Sequence, residues 1–487
     1  MTEAEFKQWV SDPTSVRCVL VEVGVFSEGA ETVRYLSNLG YITGAADTPA
    51  NVVYEACIVG GVTVSESLPL TGRANVGWGD VEVANSDGSR DHWLDDIWSG
   101  RPIKIFVGDV RWPRADFRQV FSGVVEDISP RSATTVNLLL RDKSQQLNTP
   151  LTEETIDNES LTKDTLKPLC FGEVHNITPV LVDPGTLTYM VHNGPVEDIF
   201  EVRDNGVPVD FGKNLGAGTF ALTASPVGAI TASVQGAKVD GVYLQGVTPL
   251  VRHIGKTYGK TPLLADEIDT AQLDAFHAAH PQHVGVYVAS RSNQLDVMQQ
   301  LAASVGAQVV FSTVGKMQLQ KLNIPDAAEV EFGTSDMLLH TLSVGSTPPV
   351  QPAIRLAYCK NWTVQQGLTT GLPAEHTELY AKEWLVVQVA EQATADLWKL
   401  STAPEDTQTL LQTRMQAEAE ALRRQALWGQ RRLVLKFDSF GGTVVHALGD
   451  ACKVTHHRFG LGQGKFGQIV GKKTDWLGQK VSFEVLV

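Results

Sequence analysis

Residues 98–147 constrain this chain more than any other stretch. They read WSGRPIKIFVGD, then a polar excursion, then FRQVFSGVVEDISP, then TTVNLLLRDKSQQL. Apolar and polar residues alternate over 102–107, 121–128 and 135–140, the period of a strand with one buried face and one wet face. Gly108-Asp109 and Ser129-Pro130 supply turn chemistry between the runs. The pattern predicts an antiparallel meander. It carries no nucleophile motif, metal quartet or phosphate loop, so it reads as scaffold.

The rest of the chain extends this picture. Its 487 residues exceed what one core holds, and length alone suggests about three domains. The patterns divide it into four. Residues 1–149 form a β-rich domain: a short helical lead, strands over 17–25, 52–64 and 79–84, a turn-rich loop over 41–51, a short helix over 92–98 and the meander. Residues 150–167 are a polar connector, and 150–240 form a second β-rich domain, dense in glycine and with Asn205-Gly206 as a turn. Residues 241–325 form a small α+β domain, with helices over 250–258, 269–279 and 295–305. Residues 326–487 return to strands around one long helix over 404–430. That helix has capping-box spacing at Thr402 and Glu405. Leu411, Met415, Ala419, Leu422 and Ala426 make one apolar stripe along it, and Leu411, Met415 and Leu422 are the predicted packing or interface residues. The two β ends also echo each other, IFVGD with VFSGVV against ALGD with GQIVGKK.

Composition excludes several functions. A formal charge of −15, from 40 basic and 55 acidic residues, opposes tight binding of nucleic acid. It suits a surface past which DNA slides without sticking. No apolar run approaches the ~20 residues that span a bilayer, and MTEAEFKQWV lacks the basic and apolar regions of a secretion signal. Cys18, Cys57, Cys170, Cys359 and Cys452 are scattered, with no C-x-x-C pair, which predicts reduced thiols rather than a disulfide framework.

Candidate chemistry is sparse. Asn85-Ser86-Asp87-Gly88-Ser89-Arg90-Asp91 superficially resembles a calcium loop, but its glycine falls early and the closing glutamate is missing, so a tight Asx turn is the better account. His277, His280 and His283 are spaced for zinc, yet Pro281 turns the third imidazole away. Cys452 and His456 share a strand face while His457 points opposite, and two ligands do not close a site. G-x-S-x-G, H-E-x-x-H and phosphate-loop patterns do not occur. Asp95-Asp96 and Glu153-Glu154 read as solvated faces. Ten tryptophans could stack on sugars, although indoles more often finish cores and interfaces. No catalytic residue, metal or cofactor is expected.

Four segments, in order, carry a resemblance. They are RYLSNLGYITGAADTPANVVYEACI, VEVANSDGSRDHWLDDIWSGRPIKIFVGD, LKPLCFGEVHNITPVLVDPGTLTYMVHNGPVEDIFEVRDNGVPV and LGDACKVTHHRFGLGQGKFGQIVGKKTDW. Together they cover roughly a quarter of the chain and resemble the baseplate hub and distal tail proteins of long-tailed bacteriophages and gene transfer agents. The resemblance implies a mainly β fold with α+β insertions, in which residues 1–149 and 326–487 are tail-tube-like β-barrels. It implies a non-enzymatic hub ring, trimeric with pseudo-sixfold symmetry, between the tail tube and the tip. Its partners would be identical subunits, the tail tube protein, the tape measure protein and other baseplate or tip proteins. DNA would pass through the channel without specific binding, the chain would not insert into membrane, and its place would be the tail tip of a virion assembled in the host cytoplasm. Some relatives hold an iron–sulfur cluster on grouped cysteines, and the scattered cysteines here do not carry that cofactor over. Two other functions stay open: a receptor- or carbohydrate-binding tip protein, betrayed by binding to host cells or glycans, and a tail-associated hydrolase, betrayed by cleavage of peptidoglycan or polysaccharide.

Overall fold

The computed structural model describes residues 2–12, 14–70, 77–157, 162–365 and 373–487; residues 158–161 of the predicted connector lie outside these. The fold is mainly β, as the alternation requires. Contacts divide it into two units, neither contiguous in sequence. One comprises Met1–Gln146, Val310–Pro348 and Arg432–Val487; the other comprises Leu147–Val309 and Pro349–Arg431.

The first unit is built on one sheet, with 15 strands among the described residues. The predicted meander forms as Pro102–Asp109, Arg118–Ser132 and Thr135–Arg141, each antiparallel to the next. Arg17–Ser27 pairs with Pro102–Asp109 on one side and Ala30–Ser37 on the other. Trp78–Ala84 continues the sheet from Thr135–Arg141 to Ile58–Ser67. The sheet does not stop there, because Ile58–Ser67 pairs antiparallel with Lys465–Asp475, followed by Lys480–Leu486, Val434–Phe440 and Ser343–Val344. The first and last segments of the chain therefore share one sheet and one core. Val21, Ile105, Leu138, Phe437, Ile469 and Phe483 belong to the same buried cluster. The sheet is open, not closed on itself, and ends at Tyr41–Ile42 and at Ser343–Val344.

Strand order repeats within this sheet. From Ile58–Ser67 it runs 58–67, 78–84, 135–141, 118–132, 102–109; from Ser343–Val344 it runs 343–344, 434–440, 480–486, 465–475, 451–454. Even the irregularities coincide. Pairing of 118–132 with 135–141 slips between Val125 and Asp127, and that of 465–475 with 480–486 slips between Ile469 and Gly471. Val124 faces Arg141 and Gln468 faces Leu486, so Gly123 and Gly467 hold equivalent places. A Cβ on Gly123 would overlap the carbonyl oxygen of Arg141, and one on Gly467 that of Leu486. The sequence echo falls on these strands, but its Gly-Asp pairs are not equivalent: Gly108-Asp109 ends its strand, while Gly449-Asp450 precedes one. The repeat also departs at its far side, where Arg17–Ser27 pairs antiparallel with 102–109 but Val330–Phe332 pairs parallel with 451–454.

The second unit holds a six-stranded sheet centred on Leu169–Ile177 and Ile230–Val239, plus smaller sheets of four and three strands. Asn205-Gly206 is a two-residue hairpin with φ of 50° and 86°, the type I′ geometry that matches strand twist. The three short helices expected from periodicity form at Val247–Thr257, Thr270–Ala279 and Gln294–Ser304; the last two are capped by Asp269 and Asn293.

The long helix is shorter than its pattern predicts. It runs Arg414–Trp428 and is capped by Thr413, whose side chain accepts from the Gln416 amide; Thr402 and Glu405 do not start it. Residues 407–411 are extended instead. Thr407–Gln408 pairs parallel with Ala353–Tyr358, the Thr409 amide donates to Ala357 and the Cys359 amide donates to Leu411. Sheet partners outcompeted helix propensity here, aided by the β-branched threonines.

Candidate assembly surface

The informative surface lies where the two sheet modules of the first unit meet. Thr63 to Ser67 run antiparallel to Gly471 to Asp475, with Glu66 opposite Lys472 and Ser65 opposite Lys473. The Leu68 amide donates to the Val470 carbonyl at 2.7 Å, and the Trp476 amide to that of Val62 at 3.0 Å. These bonds set the alternation: 68/470, 66/472, 64/474 and 62/476 are the hydrogen-bonded pairs, and 67/471 and 65/473 are the non-hydrogen-bonded ones.

Charges gather along this seam. Glu66, Lys436, Lys472, Lys473 and Glu484 line a cleft over it, and Lys436 pairs with Glu484. Burial pushes the Glu66 carboxyl up to about 7, with Lys472 acting in the opposite sense. Burial lowers the Lys472 pKa, while its ammonium donates at 2.7 Å to the carbonyls of both Val444 and His446. Lys472 thus ties its strand to the short helix Gly441–Val445 and its cap His446, within the C-terminal module.

On the opposite side of the sheet, Arg114 bonds Glu22 at 2.7 Å and Tyr54 at 3.3 Å, and Tyr54 donates to Glu22 at 2.6 Å. The guanidinium lies 3.6 Å from the centre of the Phe106 ring. A charge this enclosed persists only because each partner is present. Nothing in the alternation of the separate strands announces the set, because its members lie up to 92 positions apart.

The residues singled out in the sequence have separate fates. Leu411 is fully buried, bridged to Val284, and lies outside the helix. Met415 is 76% and Leu422 56% exposed. The helix buries Ala417, Glu420, Ala421 and Leu427 instead. Its inner face is set by Glu420, which binds both Arg423 and Arg424 at 2.7 Å; a polar residue cannot be assigned to a buried face from periodicity. The structure therefore does not bring Leu411, Met415 and Leu422 together.

The loop 85–91 is an Asx-type turn: the Asn85 oxygen accepts from the Arg90 amide, the Asn85 amide group donates to Asp91, and Asp87 accepts from Ser89. His280 packs on Phe276 beyond the end of its helix. His456 and His457 stack on each other at 4.2 Å, away from the buried Cys452. Among the described residues no three metal-ligating side chains converge. The indoles mostly pack: Trp98 donates to the Trp93 carbonyl inside the core, and Trp362 and Trp384 flank the ammonium of Lys360.

Sequence reasoning missed one chemically suggestive trio in the second unit. His175 Nε2 lies 3.3 Å from Glu173, whose other oxygen accepts from Gln235 at 3.0 Å, and the Cys359 sulfur bonds the same imidazole. Burial works to lower the His175 pKa; the bonds to Cys359 and Glu173 outweigh it and raise it to about 9. Cys359 is buried and has a left-handed φ of 50°. Some 180 residues separate these groups, so only the fold unites them.

Taken together, the geometry defines a mainly β protein whose terminal segments form a duplicated, open-edged sheet. No protein-family model matches the chain, and no curated protein matches it. Among solved structures it is similar to the 43 kDa tail protein of prophage MuSo2 from Shewanella oneidensis, with 11% identity, TM-score 0.44, and 96% of this chain and 98% of that one covered. It is also similar to a tail protein from Neisseria meningitidis MC58, with 9% identity, TM-score 0.41 and 97% of each chain covered. A chain from the virion of a native gene transfer agent particle is similar at 12% identity and TM-score 0.44, with 70% of this chain and 90% of that one covered.

Proposed function

We propose that this chain is a structural subunit of a phage-like tail, a hub ring between tail tube and tip proteins. The observation that carries the reading is the duplicated sheet: two modules of the same strand order, fused through 63–67 and 471–475, with an open backbone segment left on each, at 344–347 and at 127–130. A chain with one such segment on each module joins copies head to tail when the two pair, and such a series closes into a ring when the rotation per copy allows. Three copies would present six similar modules, a match between a sixfold tube and a threefold tip. The barrel expected of each terminal domain would then belong to the ring. The four ordered sequence segments support the same role.

The ring would line a channel for DNA, for which a net charge of −15 favours passage over adhesion. Tube, tape measure and tip proteins would be its neighbours in the virion. The role is architectural, not catalytic.

Native mass spectrometry of the pure chain, with two-dimensional averages of the same sample, tests this. The expected result is a closed oligomer around a bore; a monomer across the whole accessible concentration range would overturn the reading.

A further inference from the structure

The inner seam has an unoccupied counterpart on the same unit, and its residues follow from the repeat. The pairings 63/80 and 64/79 match 343/436 and 344/435, so Thr63 to Leu68 correspond to Ser343 to Pro348. The pairings 471/484 to 474/481 match 127/139 to 130/136, so Gly471 to Thr474 correspond to Asp127 to Pro130. Applying the inner register to these equivalents gives Thr347 opposite Asp127, Ser346 opposite Ile128, Gly345 opposite Ser129 and Val344 opposite Pro130.

Both segments are open in the single chain. Arg118–Ser132 is longer than the strand beside it: pairing with Pro102–Asp109 ends at Val124, and Val125 is met by Arg101. Beyond that point the Ile128 amide turns to the carboxylate of Asp127 at 2.8 Å, the mark of a ladder donor facing an empty edge. On the other segment the Gly345 amide donates inward to Val434, which leaves Val344 and Ser346 to face outward. The alternation is the one the inner seam uses. Ser346 and Ile128 replace Glu66 and Lys472, so this pair would enclose no charge.

We infer that the edge Val344–Thr347 of one copy pairs antiparallel with Asp127–Pro130 of a second copy, extending the sheet from subunit to subunit. The inference rests on the ring reading above and gives that ring its contact. It also accounts for two prolines. Pro130 stands where Thr474 donates, and Pro348 stands where Leu68 donates. Their missing N–H groups weaken the pairing of two stray edges. Val344, Ser346, Ile128 and Glu126 keep theirs. Contact then depends on closure of the whole ring rather than on any single edge.

Disulfide trapping tests the register. Thr347→Cys with Asp127→Cys places two thiols at a non-hydrogen-bonded pair, where facing Cα atoms lie about 4.5 Å apart. The native cysteines are all buried. Ser65→Cys with Lys473→Cys, a non-hydrogen-bonded pair of the inner seam two residues along from the exact equivalent, is the intramolecular control. The double variant T347C/D127C is oxidised, and native mass spectrometry is run on the same preparation. Covalent closed oligomers, absent from either single variant, are the expected result. Oligomers that stay uncrosslinked while the control crosslinks would overturn the seam but leave the ring. A monomer without crosslink would overturn both. As a second variant, Ser346→Pro removes one more donor and should lower the oligomer fraction about tenfold; an unchanged fraction would likewise overturn the seam.

Discussion

At the residue scale, buried polar groups show where the fold accepts no substitute. His192 is buried and its Nδ1 accepts the Cys170 amide at 3.0 Å, which fixes a neutral ring. Burial, with His253 nearby, lowers its pKa from 6.5 to about 4. A histidine depressed on folding stabilises the native state above the unfolded pKa, and that contribution fades as pH falls. The second unit should therefore lose about 3 kcal/mol between pH 6.5 and 4 from this group. Urea titrations at stepped pH measure it, and His192→Gln should flatten the curve over that window. An unaltered acid slope in the variant would refute the assignment. The Glu22–Arg114–Tyr54 set obeys the same rule in the first unit: each member is tolerated because the others are present.

Elements show how tertiary pairing edits local preference. Periodicity located the meander and three short helices to within a few residues, because their buried faces and caps are local features. It failed at 404–413, where strand partners at Ala353–Tyr358 claimed the chain. Within the single chain the helix packs through another face, since Glu420 is buried by its two arginines while Met415 and Leu422 face outward. Two substitutions separate these cases. Leu411→Asp places an unpaired charge in a sealed position and should cost more than about 3 kcal/mol. Leu422→Asp on the exposed stripe should stay within about 0.5 kcal/mol. Thermal unfolding of the two single variants distinguishes them; equal losses would restore the predicted interface stripe as a packing face.

Across the whole molecule, the decisive feature is that the chain leaves its first unit and returns. Strand Ile58–Ser67 has Lys465–Asp475 as its outer neighbour, and cores from both ends merge. Residues 1–149 expressed alone should therefore aggregate or fail to melt cooperatively, whereas an autonomous first barrel would give a sharp transition. A cooperative, monomeric fragment would contradict the shared core. What the sequence determined by itself was what is written in short range: the β class from period-two alternation, the hairpin turn at Asn205-Gly206, and three short helices from their caps and apolar faces. Tertiary structure alone decided which strands became neighbours. Register between residues 63–67 and 471–475 depends on hydrogen-bond edges some four hundred positions apart, and backbone groups carry no residue-specific signal of their partners. The duplication, faintly echoed in the sequence, is carried by matching bulges and two matched glycines rather than by matching side chains.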